Sequence, residues 1–181
     1  MILETERLIL RPWTQEDAPF LYKYAQDERI GPMAGWLPHT SVENSREIIR
    51  SVLSAPETYA VVLKETGEAV GSVGIMCKGQ GSAPMSDTER EVGCWIGVPY
   101  WGRGLIPEAI RELLRRCFED LDCTAVWYGY FEGNEKSKRV QEKCGFTHCL
   151  RMGNMGCAIE GLVRTEYFSI LTKEDWEKQH S

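Results

Sequence analysis

The sequence predicts an α+β protein of the three-layer kind, a mixed, mostly antiparallel twisted sheet of about seven strands with helices on both faces. Three observations carry this expectation. Short apolar runs follow one another from Tyr59 to Val98 with turn residues between them, which reads as consecutive antiparallel strands. A strongly amphipathic helix after Gly104 leads into another apolar strand, and a crossover of that length joins parallel neighbours. At 181 residues the chain is long enough for one sizeable core and short for two, so 1–181 reads as a single domain.

The run Thr5-Glu6-Arg7-Leu8-Ile9-Leu10-Arg11 has a strand-like apolar centre ended by Pro12. Thr14 and Asp17 form an acidic variant of the capping box and open a helix to about Gln26. Two prolines and two glycines make 30–39 a loop with exposed apolar content, the kind that borders pockets. A second helix follows from Ser41 to Leu53, stopped by Pro56. Tyr59–Lys64 and Ala69–Met76 flank a Thr66-Gly67 turn and read as a hairpin, and 79–86 is a flexible connection. Glu91–Val98 is the next strand, with Gly93 and Gly97 marking a bend or bulge. In the following helix Ala109, Leu113, Cys117 and Leu121 form one apolar row and Ile110, Leu114 and Phe118 the next. Thr124–Phe131 is a strand, a short helix ends at Cys144 with Gly145 in the C′ position, and strands at about 146–153 and 163–171 complete the sheet.

Charge and cysteine content narrow the function classes. The 21 basic and 27 acidic side chains give a net charge of −6, which speaks against direct nucleic-acid binding and is compatible with a cationic substrate. No stretch approaches the roughly 18–20 apolar residues of a membrane span, and the opening residues lack a secretory pattern. No membrane association and a cytoplasmic location are therefore expected. Seven cysteines, with no C-x-x-C pair, read as small hydrophobes of a reducing compartment, and no metal site is expected.

Tyr100-Trp101-Gly102-Arg103-Gly104-Leu105-Ile106-Pro107-Glu108 lies between a strand end and a helix start, where main-chain amides and the helix dipole bind anions. Glycines at 102 and 104 allow a tight turn and close approach to phosphate oxygens, and Arg103 adds charge at the rim. The same two glycines also serve any sharp strand-to-helix turn. No G-K-[ST] follows and a third glycine is missing, so neither the Walker loop nor the dinucleotide fingerprint is present.

One crossover later stands Asn134-Glu135-Lys136-Ser137-Lys138-Arg139-Val140-Gln141-Glu142-Lys143-Cys144-Gly145-Phe146. Asn-x-x-Ser-x-Arg-Val followed by Glu-Lys-Cys-Gly-Phe resembles the final motif of the GNAT superfamily of acetyl-CoA-dependent N-acetyltransferases. Trp-Gly-Arg-Gly resembles its coenzyme loop, and Thr5–Arg11 resembles the opening strand of its RimJ and RimL type, the ribosomal-protein acetyltransferases. The resemblance runs from about residue 4 to 171. It implies a GNAT-like acyl-CoA acyltransferase fold, one N-acetyltransferase domain over 1–181, and acetyl-CoA as co-substrate. It further implies that the main chain of Ile96 to Val98 pairs with the pantetheine arm in a gap opened by the splay at Gly93 and Gly97. Amides from Gly102 through Arg103 and Gly104 to Ile106 would hold the pyrophosphate, and Asn134 would bond the coenzyme near its pantetheine. Trp101, Ile106 and Pro107 depart from the superfamily pattern, and Pro107 removes one amide donor from the loop.

Amine attack on a thioester needs a neutral amine, a stabilised oxyanion and a departing thiolate. Glu91 is the expected proton acceptor, with Glu89 as competitor and a solvated strand-end charge as the structural alternative. An amide near Ile96 or Val98 would face the oxyanion. The resemblance points to Ser137 for the leaving sulfur, on the same helical face as Asn134, with Tyr128 and Tyr130 as other donors. No covalent cysteine is required. Substrate selection is expected in the loop with Met33, Trp36, Leu37 and His39. The acceptor is a protein N-terminus or a small-molecule amine, and the assembly a monomer or homodimer. Two other functions remain open: an acyl-CoA-binding or regulatory module without turnover, favoured by Ile106 and Pro107, and a nucleotide-phosphate binder using the same loop.

Overall fold

A computed structural model describes residues 1–180. The fold is α+β, a mixed eight-stranded sheet with the hydrogen-bonded order β1-β2-β3-β4-β5-β6-β8-β7. The strands are β1 (Leu3–Glu4), β2 (Leu8–Arg11), β3 (Thr58–Leu63), β4 (Ala69–Met76), β5 (Glu89–Ile96), β6 (Ala125–Phe131), β7 (Thr147–Gly156) and β8 (Val163–Thr172). The helices are α1 (Ala18–Ala25), α2 (Gly31–Ala34), α3 (Val42–Ile48), α4 (Leu105–Arg115), α5 (Glu135–Lys143) and α6 (Lys173–Gln179). The eighth strand, beyond the seven expected, is the two-residue β1. Among the described residues no helix is long and apolar enough to cross a membrane.

Contacts divide the chain into two compact units. The first comprises Met1–Gly74 and Cys94–Ala109. Here β1, β2 and β3 pair antiparallel, and β3 pairs antiparallel with β4 through the predicted Thr66-Gly67 turn. The turn closes because Gly67 takes φ +71, a left-handed value open to glycine, and its N–H reaches the Leu63 carbonyl at 2.8 Å. Thr14 N–H donates to Asp17 Oδ2 at 2.9 Å, as the capping box predicted, and the chain enters α1 through a short 3₁₀ turn. Leu21, Ala25, Ile49, Ala60, Val62 and Trp13 form a buried cluster in which α1 and the turn after α3 meet the sheet. Burying a Leu or Ile side chain stabilises by roughly 1.5–3 kcal/mol, so this cluster anchors both helices.

The second unit comprises Ile75–Gly93 and the chain from Ile110 onward. Here β5 pairs parallel with β6 from Glu89↔Ala125 to Val92↔Tyr128, the parallel pair that the crossover predicted. The β6–β8 and β7–β8 pairs are antiparallel. β7 is longer than expected and carries register shifts at His148/Leu150 and Met152/Met155. Met85, Trp127 and Phe168 are buried together beneath this part of the sheet. The C-terminal helix α6 was not anticipated, and Trp176 holds it, with its ring 5.3 Å from that of Phe118.

Candidate active site

In the first unit β5 ends at Ile96 rather than at Val98. Val98–Tyr100 is a 3₁₀ turn with Pro99 in its first positions, where the ring tolerates a missing N–H. Val98 is thus bent rather than extended, and its carbonyl accepts from Trp101 N–H at 3.1 Å. The Ile96 carbonyl accepts from the Trp101 indole Nε1 at 3.1 Å. The tryptophan that departs from the family pattern therefore braces the strand end. Gly97 N–H donates to the Val70 carbonyl at 2.8 Å, and a Cβ at Gly97 would lie 2.6 Å from the Tyr24 ring, so only glycine fits there. The Tyr24 hydroxyl in turn reaches Glu68 at 2.7 Å and the Tyr100 hydroxyl at 3.1 Å.

The loop that follows has the predicted form. Gly102 and Gly104 take φ +76 and +74, and Arg103 between them is exposed, its guanidinium 5.4 Å above the Tyr100 ring. α4 begins at Leu105, and Glu108 N–H closes the first turn on the Gly104 carbonyl at 3.2 Å. The amides of Gly102, Gly104, Leu105 and Ile106 find no acceptor among the described residues. Pro107, next in line, has no N–H to offer. Ile106 itself is buried and contributes its main chain, with its side chain held in the core. Four open amides at the positive end of an 11-residue helix form a concentrated anion-binding surface.

The expected selectivity loop is partly helical. Pro32 in the first turn and Gly35 at φ +89 frame the single turn α2. Trp36 packs edge-on against Trp95 of β5 at 5.8 Å, and Gly31 leaves the space that its ring occupies. His39 faces inward, with Nδ1 2.8 Å from Ser45 Oγ and its ring 5.5 Å from Trp36, and burial lowers its pKa. Met33 and Leu37 remain exposed.

The second unit holds the expected acid–base residues. β5 begins at Glu89, so Glu91 is its third residue, only 4 % exposed, and not a solvated strand end. Glu91 Oε2 accepts from Ala83 N–H at 2.8 Å, and Oε1 lies 3.5 Å from the Ser82 hydroxyl. That hydroxyl also donates to Glu166 Oε1 at 3.1 Å. Glu166, on β8, is 6 % exposed. Gly81 and Gly129 leave room for these carboxylates, since an added Cβ at either would collide with one of them. Burial raises both carboxyl groups, Glu91 against the lowering hydrogen bonds from Ala83 and Ser82, and Glu166 to about 7, with the Glu91 charge adding to its rise. Glu89, the competitor, is occupied differently: its Oε2 accepts from Trp127 Nε1 at 3.0 Å and from Ser86 N–H at 2.8 Å.

Sequence reasoning did not find Glu166. The available signal was its parity, because Glu166 shares a strand face with Phe168 and thus falls on an apolar row. Asn134 caps α5, its Oδ1 accepting from Ser137 N–H at 3.2 Å, so these two predicted residues are adjacent and both half-buried. Of the alternative donors, Tyr128 is buried edge-on to Phe146 at 5.6 Å, and Tyr130 stacks on Tyr167 at 5.4 Å. Cys144 is buried, which pushes its thiol up to about 11, while Cys94 is half-buried and Cys149 exposed.

Comparison with known proteins identifies the family and the fold. The family model described as "Acetyltransferase (GNAT) domain" matches residues 7–147. A protein of Bacillus licheniformis named "Uncharacterized N-acetyltransferase p20" is 26% identical over 177 residues, covering 95% of this chain and 97% of its own. Among solved structures, a "Ribosomal-protein-S5-alanine Acetyltransferase from Vibrio fischeri" superposes with a TM-score of 0.72 at 19% identity, covering 97% of this chain and 98% of that one. The structure of "AAC(6')-Ib in complex with Ribostamycin and Coenzyme A" gives 0.74 at 20% identity, covering 97% and 99%. At these identities the two structures share the fold.

Proposed function

Because this chain belongs to the GNAT family of acetyltransferases, we propose that it acetylates a primary amine, at a protein N-terminus or on a small molecule, by direct attack within a ternary complex. The coarser activity, transfer of an acetyl group from acetyl-CoA to an amine, follows from family membership itself. We take 1–181 as one N-acetyltransferase domain. Likeness to the ribosomal-protein acetyltransferase fold, together with the Thr5–Arg11 strand, supports the RimJ and RimL branch and makes an N-terminal α-amine the first acceptor to test.

The observation that carries the reading is the glycine loop. Gly102, Gly104, Leu105 and Ile106 offer four uncommitted amides to the coenzyme pyrophosphate, and Arg103 supplies charge at the rim. Val98 N–H, also without an acceptor among the described residues, is a donor available to the thioester oxyanion. Ile96 offers main-chain groups to the pantetheine amides, although its carbonyl already accepts one bond from Trp101. Asn134 bonds the coenzyme arm and Ser137 orients the departing sulfur or a water. Trp36 lines the acceptor side. His39 is engaged by Ser45 and supports that wall from within.

Glu91 takes the proton. An alkyl ammonium must lose it before its nitrogen lone pair can form the C–N bond, and a carboxylate raised by burial accepts it closer to neutral pH. The C–S bond then breaks, and the thiolate leaves and takes up a proton. A thiol-release assay with acetyl-CoA and a panel of amines and peptides, beside a Glu91→Gln variant, tests the assignment. Release with at least one acceptor class, reduced in the variant, is the expected outcome. Tight coenzyme binding with no thiol release across a broad panel would instead identify a non-catalytic acyl-CoA-binding module.

A further inference from the structure

The Thr5-Glu6-Arg7-Leu8 segment, which carries the resemblance at the start of the chain, has no part in the chemistry above. It forms the turn between β1 and β2, and its side chains meet the start of α4. Arg7 Nη1 donates to the Arg103 carbonyl inside the glycine loop at 3.0 Å. Arg7 Nε donates to Glu108 Oε2 at 2.7 Å, and Nη2 lies 2.7 Å from the same oxygen. The other oxygen, Glu108 Oε1, accepts from Arg7 N–H at 2.8 Å and from the Thr5 hydroxyl at 2.5 Å. The turn is itself pinned to the sheet, since Lys64 N–H donates to the Arg7 carbonyl at 3.0 Å and Lys64 Nζ to the Thr5 carbonyl at 2.7 Å.

We propose that Thr5, Arg7 and Glu108 form a clamp that holds the glycine loop in its anion-binding shape, with Arg7 as a positioning residue for the coenzyme pyrophosphate. This rests on the acetyl-CoA reading above. Two physical reasons support it. The planar guanidinium fork bridges a loop carbonyl and a helix carboxylate, so the relative position of Arg103 and the first turn of α4 is fixed before any ligand arrives. Glu108 is also a negative charge in the first helical turn, favourable to the dipole but repulsive to a diphosphate bound there. Arg7 cancels that charge. With its fork committed to Glu108 and Arg103, it acts on the ligand through the loop and through this neutralisation.

The test measures coenzyme A binding by calorimetry and kcat/KM with two donors, acetyl-CoA and S-acetylpantetheine, which lacks the pyrophosphate. Arg7→Met should raise the coenzyme A Kd about tenfold, the scale of one lost charge-assisted contact, and lower kcat/KM for acetyl-CoA through KM while leaving S-acetylpantetheine unchanged. Arg7→Lys, which keeps the charge without the fork, should fall between Arg7→Met and wild type, and serves if Arg7→Met does not fold. Glu108→Gln should weaken binding less than Arg7→Met, and the double variant should recover to the Glu108→Gln level, because no uncompensated carboxylate remains. Equal losses with both donors would make the clamp a general stabiliser and overturn the proposal. Additive losses in the double variant would do so too, by making Arg7 a direct phosphate contact. If wild-type protein bound no coenzyme A, the acetyl-CoA reading would fall with the clamp. Normal wild-type binding with an unaffected Arg7→Met variant would remove the clamp alone.

Discussion

Replacement of Gly104 probes the proposed coenzyme loop at its most demanding point. Gly104 sits at φ +74, and a Cβ added there would lie 3.7 Å from Arg7 Nη2, an ordinary contact distance. The protein itself therefore raises no steric objection, and the cost of alanine is conformational, roughly 1–2 kcal/mol for an L-residue in the left-handed region. If that cost falls on the binding-competent loop, coenzyme A affinity drops roughly 5- to 30-fold. Valine adds a branched Cβ, which tolerates positive φ least, and thickens the surface that the phosphates approach, so Gly104→Val should weaken binding well beyond Gly104→Ala. Gly102 gives the control: it has φ +76 with nothing within 4 Å of an added Cβ, and asparagine tolerates that conformation, so Gly102→Asn should fold as wild type. Calorimetric titration with coenzyme A, paired with thermal melts to confirm folding, reads the series. Wild-type affinity in a folded Gly104→Val variant would show that the phosphates lie elsewhere.

The titratable side chains make distinct predictions. Glu91→Gln should lower turnover mainly at low pH, where amine deprotonation limits the rate, and an unchanged pH–rate profile would remove Glu91 from the base role. Glu166, raised from an ordinary 4.5 to about 7, favours the folded state fully below about 4.5, and that contribution is lost as pH rises through 7. Glu166→Gln should therefore gain stability relative to wild type between pH 5 and pH 8 in denaturant titrations, and parallel pH dependences would contradict this. Cys149→Ser, at an exposed position, should leave kcat nearly intact, whereas a large loss would point to a covalent route.

Features set by local chemistry were legible in the sequence. The Thr14–Asp17 cap, the Thr66-Gly67 turn, Gly145 after α5 at φ +82 and the paired glycines before α4 each depend on a few adjacent residues, and each stands where expected. The parallel pair was legible because a long amphipathic crossover permits little else. Elements held by distant contacts were not. β1 is two residues long and exists through pairing with β2, and α6 has Trp176 as its single large apolar residue, so neither shows periodicity. α2 hides among prolines and glycines that read as loop. The burial of Glu91, the proposed proton acceptor, depends on Ser82, Ala83 and a strand 75 residues further on, and no spacing rule connects Glu91 with Glu166. Trp101 departs from the family pattern by residue type, and its bond to the Ile96 carbonyl spans the Val98–Tyr100 turn, a contact that no sequence spacing signals.

The cap of α5 also fixes what its first side chain has left to give. Asn134 Oδ1 accepts from Ser137 N–H, which holds the carboxamide in one orientation and leaves its two amide hydrogens and one lone pair of Oδ1 uncommitted by that bond. An amide-rich arm passing alongside can be met at either its C=O or its N–H. One turn-forming interaction inside the protein thus orients a two-way contact without using it up.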